Sequence, residues 1–145
     1  MERPVIVCDS REQLAWEFEF DTITKKLPVG DYAIWGLEKE LIIERKSLSD
    51  LISCLSWDRE RFESELERAS GFTKLIVLFE GSWSDILEGR YKSKMIPKSA
   101  RESIVALHTR YDVPFIAGEN RRIANQLCQS YLLRVWKEYQ KQAKG

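Results

Sequence analysis

Residues 40–50 read ELIIERKSLSD, and this stretch leaves the chain few folds to choose from. Leu41, Ile42 and Ile43 form an apolar run that gives way to Glu44, Arg45 and Lys46 without a turn residue between them. Read as a strand, the segment alternates: Ile42, Glu44 and Lys46 share one face, and Leu41, Ile43 and Arg45 share the other. Ser47 follows at once and Asp50 stands three residues on, a capping-box pattern that opens a helix. Leu48, Leu51, Ile52 and Leu55 then supply that helix with an apolar face. A half-buried strand therefore runs directly into an amphipathic helix, with charged side chains at the junction.

The rest of the chain extends the same grammar. Residues 4–9 (PVIVCD) read as a short buried strand ending in a carboxylate. Residues 29–35 pair with residues 40–46 across a turn at 36–39, a hairpin. The helical pattern breaks near residues 56–58 and resumes over 59–69, where Phe62, Leu66 and Ala69 keep the period. A fourth strand at 74–79 ends in Glu80-Gly81, and a short helix over 84–88 stops at Gly89. Pro97 starts a helix in which Ala100, Ile104, Leu107 and Tyr111 share a face. A last strand covers 113–117 and a long terminal helix 120–141. Three strands, then helix, strand, helix, strand and helix, predict an α/β single domain: a mixed β-sheet flanked by helices, spanning residues 1–145. A length of 145 residues suits one core and leaves little room for a second.

Composition narrows the setting. The chain is 43% apolar and 11% aromatic, as ordinary globular proteins are. Its longest aliphatic run, residues 75–79, is too short to cross a bilayer, and the first residues carry no signal-peptide pattern. The expectation is a soluble intracellular protein, cytoplasmic in a prokaryotic or phage-infected host and nuclear in a eukaryote. Cys8, Cys54 and Cys128 are odd in number and set among apolar neighbours, which fits reduced core residues. With 23 basic and 23 acidic residues the net charge is zero, so any binding of nucleic acid needs locally concentrated positive charge. Residues 89–101 offer Arg90, Lys92, Lys94, Lys98 and Arg101 with no acid among them. Such a run is either a solvated loop or a phosphate contact. His108, the one histidine, falls on the flank of its helix and reads as a surface residue. The five tryptophans read mostly as core, with Trp57 and Trp83 as candidates to stack on a base.

Glu44 and Lys46 side by side at the end of an apolar strand are costly to bury unless something compensates them. A divalent cation does so: the carboxylate binds the metal, and Lys46 holds or activates the attacking water and offsets charge developing on a phosphate. Mg²⁺ needs more than one carboxylate. Asp31 supplies a second from the neighbouring strand, and Asp9, at the end of the first strand, is a further candidate. The competing explanation is a set of exposed strand-end charges with Glu44 and Lys46 as an ion pair.

Gly30-Asp31, then Glu44-Arg45-Lys46, then Asp50 after three more residues spell GD-x(n)-ERK-x(3)-D. This resembles the signature of the XPF-type structure-specific endonucleases, whose nuclease domain is the excision-repair cross-complementing group four domain. VIVCDSRE at residues 5–12 and DLISCLSWDRERFESEL at 50–66 resemble the family's first strand and the helix after its signature. The motifs span residues 5–80, and the remainder is similar to short stand-alone bacterial and phage versions. The resemblance implies a restriction-endonuclease-like fold and Mg²⁺-dependent cleavage of DNA, with Mn²⁺ as a substitute. It implies Asp31 and Glu44 as metal ligands, the Arg45 backbone carbonyl facing the metal, and Lys46 as the catalytic lysine. Asp9, Arg11 and Glu12 match the family's first element. Asp50 matches its last aspartate, although Ser47-x-x-Asp50 explains that position as a helix cap. Arg59 and Arg61 are rival matches to its helix arginine and join Arg90, Lys92, Lys94 and Lys98 as candidate DNA contacts.

Branched-DNA enzymes of this type usually carry a helix-hairpin-helix or helicase region, and neither is expected within residues 1–145. The expected substrate is branched or single-strand-containing DNA in repair or recombination. A competing expectation is a non-catalytic DNA-binding or dimerisation subunit with the same fold. The last helix carries Ile123, Leu127, Tyr131, Leu132, Val135 and Trp136, a broad apolar surface that points to a homodimer or heterodimer.

Overall fold

A computed structural model describes residues 3–12 and 15–144. Six strands form one mixed sheet: β1 (Val5–Asp9), β2 (Asp21–Lys25), β3 (Tyr32–Ile34), β4 (Ile42–Ser47), β5 (Leu75–Glu80) and β6 (Phe115–Ala117). Their spatial order is β2-β1-β3-β4-β5-β6. β3 runs antiparallel to both β1 and β4, and the other neighbours are parallel. α1 (Leu48–Leu55) and α2 (Arg59–Ser70) join β4 to β5, and α3 (Trp83–Leu87) and α4 (Pro97–Tyr111) join β5 to β6. α5 (Arg121–Lys144) closes the chain.

Strand alternation divides the apolar side chains between two cores. On one face Val7, Ala33, Ile42, Val77 and Phe79 pack beneath α1 to α4, through Leu51, Leu55, Phe62, Leu66, Ile86 and Ile104. On the other, Ile6, Tyr32, Ile43, Ile76 and Leu78 meet Trp16 and the Ala124, Cys128 and Leu132 stripe of α5. The mixed sheet between helical layers is the architecture expected from the sequence. Much of the apolar surface of α5 is spent on the sheet, since Leu127, Tyr131, Val135 and Trp136 also lean against this second core.

The differences from expectation have local causes. β2 was absent from the sequence reading because all five of its residues are exposed, so no buried face marks it. It pairs only with β1 and forms a polar sheet edge closed by Lys25, a composition that discourages further strand addition. The β3–β4 connection is longer than the four-residue turn expected, running from Trp35 to Leu41. Trp35 stands 60% exposed, against the expected place of most tryptophans in the core; Trp57, a candidate to stack on a base, is 80% exposed, and Trp16 is buried. The cysteines are free, with Cys54 and Cys128 buried, and His108 is exposed, as expected.

Candidate active site

The site forms where β4 leaves the sheet. Asp31 precedes β3, yet its backbone is already held by both neighbours: its N–H donates to the Ile43 carbonyl (2.9 Å) and its carbonyl accepts from Asp9 N–H (2.8 Å). Gly30 permits this approach. It has φ +74°, and a Cβ there would lie 2.2 Å from Ile42 Cγ2, so any larger residue would clash while adopting a disfavoured backbone conformation. The Asp31 side chain then accepts the Arg45 backbone N–H at Oδ2 (2.7 Å), which aims the carboxyl along β4 towards Glu44.

Alternation along β4 sends Glu44 and Lys46 to the α2 side of the sheet and Arg45 to the opposite side. Glu44 is 7% exposed. Burial pushes its carboxyl well above the ordinary range, and the neighbouring Asp31 pushes it further. Burial also raises Asp31, although the adjacent Glu44 carboxyl and the Arg45 N–H partly offset that rise. Two buried, adjacent carboxyls that both resist ionising are a fitting place for a divalent cation, whose charge would offset theirs. Burial alone would lower Lys46, but Glu44, Cys54, Glu65 and Asp31 together hold it above its usual value, so it is an ammonium ion. Its Nζ lies 5.5 Å from the centre of the Phe62 ring on α2. No salt bridge joins Lys46 to Glu44 among the described residues, so the ion-pair explanation of E-x-K does not describe this geometry.

A cleft of about 160 Å³ opens over these groups, lined by Asp9, Arg11, Asp31, Glu44, Lys46, Glu65 and Arg68 among others. Asp9 is 2% exposed, and its carboxylate accepts from Arg11 Nε (2.8 Å), Nη2 and backbone N–H (each 3.0 Å) and from Leu27 N–H (2.8 Å). Although burial opposes it, these donors hold the Asp9 carboxyl below its usual range. Asp9 thereby ties the chain entering the Gly30-Asp31 turn to the end of β1. Among the described residues no group of three or more acidic, histidine or cysteine side chains is arranged as a metal cage. The Asp31–Glu44 pair is the candidate for holding a cation.

Two of the expected site residues lie elsewhere. The Arg45 guanidinium sits on the α5 side, with Nε on Glu80 Oε1 (2.7 Å), Nη1 near Glu12 Oε2 (3.4 Å) and its carbon 5.0 Å from the Trp16 ring centre. Glu12 accepts the Tyr32 hydroxyl in the same cluster (3.0 Å). The side chains of Glu12 and Arg45 therefore brace the back of the sheet instead of lining the cleft. Ser47 Oγ accepts Asp50 N–H (3.1 Å), and exposed Asp50 occupies a helix-cap position. Arg59 bonds Glu63 and Ser103, Arg61 bonds Asp58, and Arg90 bonds Asp85 and Glu88. Lys92, Lys94 and Lys98 are exposed and make no salt bridge among the described residues. Sequence reasoning missed Glu65 and Arg68 as cleft residues. Their spacing on α2, one turn apart beside buried Phe62 and Leu66, was the available signal.

The raised pKa of this carboxyl pair has a measurable consequence. A raised carboxyl pKa means that the folded state holds its proton more tightly than the unfolded chain does. The contribution of this pair to stability is therefore fullest at acidic pH and declines as pH rises through the raised pKa, where the buried pair must ionise. Glu44→Gln removes that ionisation at nearly constant volume. With chelator present, the variant should melt with the parent at about pH 4 and several degrees above it at about pH 8. Parallel melting curves across that range would contradict a raised pKa for the pair.

A family model described as the ERCC4 domain matches residues 8–129. Two solved structures share the fold. XPF from Aeropyrum pernix is 21% identical with a TM-score of 0.69, over 88% of this chain and 59% of that one. XPF from Aeropyrum pernix in complex with DNA is 22% identical with a TM-score of 0.71, over 94% and 66%. The chain thus spans less than two thirds of the length of either. No curated protein matches it by sequence. The sheet and its helices are restriction-endonuclease-like, as the signature implied.

Proposed function

The chain belongs to the ERCC4 domain family, and on that footing we propose that it is a Mg²⁺-dependent DNA endonuclease acting on branched or single-strand-containing DNA in repair or recombination. The observation that carries this reading is the buried Asp31–Glu44 carboxyl pair beside the Lys46 ammonium in an open cleft. Asp31 and Glu44 would hold the cation, with the Arg45 backbone carbonyl as a further donor and Mn²⁺ as a substitute ion. When bound, the metal would lower the pKa of a coordinated water and offset phosphate charge. Because Lys46 is protonated, its part is to donate: it orients the attacking water or bonds a phosphoryl oxygen as negative charge grows there. Asp9 and Arg11 hold the turn that presents Asp31. Lys92, Lys94 and Lys98 are the candidate flanking phosphate contacts. The DNA complex of the archaeal relative supports nucleic acid as the ligand.

Pairing with a second chain through α5 belongs to the same reading. Trp35 and Tyr139, 60% and 46% exposed, border a groove beside Trp136 that the sheet leaves open. A light-scattering mass of one chain at micromolar concentration would remove this part.

Metal titration tests the site without relying on turnover. Mn²⁺ should raise the melting temperature of the parent and give a saturable binding signal, and Glu44→Gln should lose both. A parent protein indifferent to Mn²⁺ and Mg²⁺ would instead favour a non-catalytic subunit with the same fold.

A further inference from the structure

We infer that Arg68 of α2 grips a phosphate of the bound DNA strand at the mouth of the cleft, a contact that rests on the nuclease reading above. The inference comes from asking which positive groups near the Asp31–Glu44 pair are still uncommitted. Arg45 faces the other side of the sheet, against Glu80 and Glu12. Arg11 spends Nε and Nη2 on the Asp9 carboxylate, and Nη2 also reaches the Leu27 carbonyl (2.9 Å). Lys46 is half-buried over the Phe62 ring in the field of Glu44. Arg68 lines the same cleft, is exposed, and makes no salt bridge or hydrogen bond among the described residues.

Its isolation is informative because acids are close at hand. Glu65 lies one helical turn back and Glu67 is adjacent, yet neither pairs with it, whereas Arg59 and Arg61 on the same helix both find carboxylates. A guanidinium left free at the edge of an acid-lined cleft suits an anion that arrives with the substrate. Its planar fork matches two phosphate oxygens at once, and the acidic lining of the cleft would otherwise repel the DNA backbone. The bland alternative is that Arg68 merely complements the dipole in the last turn of α2, which would give it a small effect on stability and none on DNA.

Binding of a labelled flap DNA to the full chain, with Ca²⁺ replacing Mg²⁺ to block turnover, separates these possibilities. Parent, Arg68→Ala and Arg68→Lys are compared over a range of salt concentrations, alongside melting temperature and Mn²⁺ affinity. Arg68→Ala should weaken DNA binding about tenfold and flatten the salt dependence by about one phosphate contact, with melting and Mn²⁺ affinity unchanged. Arg68→Lys should recover part of the loss. Parental affinity and salt slope in Arg68→Ala would overturn the assignment, as would a loss accompanied by weaker Mn²⁺ binding. A parent that binds Mn²⁺ but no DNA would overturn the nuclease reading itself, and this contact with it.

Discussion

Asp31→Asn and Lys46→Met should each reduce Mg²⁺-dependent cleavage by about 10³-fold, and they should do so in different ways. Asparagine keeps an oxygen for the Arg45 N–H that Asp31 Oδ2 now accepts at 2.7 Å, so the turn retains its anchor. It removes the negative charge, and with it half of the carboxyl pair, so Mn²⁺ binding should fall together with cleavage. Methionine retains an apolar stem against the Phe62 ring that Lys46 now covers. It leaves the carboxyl pair in place, so metal binding should persist while cleavage is lost. Single-turnover rates and Mn²⁺ titrations on both variants make the comparison. Cleavage at the parental rate by either variant would show that the chemistry lies elsewhere.

Arg45→Ala should have the largest effect on stability, about 3–5 kcal/mol, because it strands two carboxylates in a poorly hydrated place. The Arg45, Glu12 and Glu80 side chains are 13%, 15% and 16% exposed, and the guanidinium also lies against the Trp16 ring. Without it, Glu12 and Glu80 lose the cation that both now meet. Adding Glu80→Gln to Arg45→Ala should recover part of the loss by discharging one of them. Denaturant melts of the single and double variants measure both effects. A normally stable Arg45→Ala protein that cannot cleave would instead place the guanidinium in the chemistry, contrary to its position behind the sheet.

That position illustrates how far the sequence carries. Period-two alternation through Ile42, Ile43, Glu44, Arg45 and Lys46 was enough to separate Arg45 from its neighbours, because burial of Ile42 and Ile43 on opposite faces fixes the register. It did not reveal what Arg45 would meet. Glu80 is distant in sequence and arrives only because β5 pairs in parallel with β4, placing Ser47 opposite Glu80. Glu12 arrives from the loop after β1. Such contacts are set by the order of strands, which local pattern does not encode. The same limit explains Glu65 and Arg68: they are two of many charged residues on α2, and only the packing of Phe62 and Leu66 turns them towards the cleft. β2 escaped notice for a different reason, since an edge strand with every residue exposed carries no hydrophobic signature. Gly30 stood in the recognised signature without a reason of its own, and the reason proved to be its close approach to Ile42.

The central claim is that Asp31, Glu44 and Lys46 make this ERCC4 domain a metal-dependent nuclease. It is tested most directly by incubating the purified chain with end-labelled flap, fork, junction, single-stranded and duplex DNAs, with Mg²⁺ or with chelator. The account predicts cleavage of branched or single-strand-containing substrates that requires Mg²⁺ and disappears in Asp31→Asn. Intact DNA in every lane under Mg²⁺ and Mn²⁺, or cleavage that persists in chelator, would contradict it.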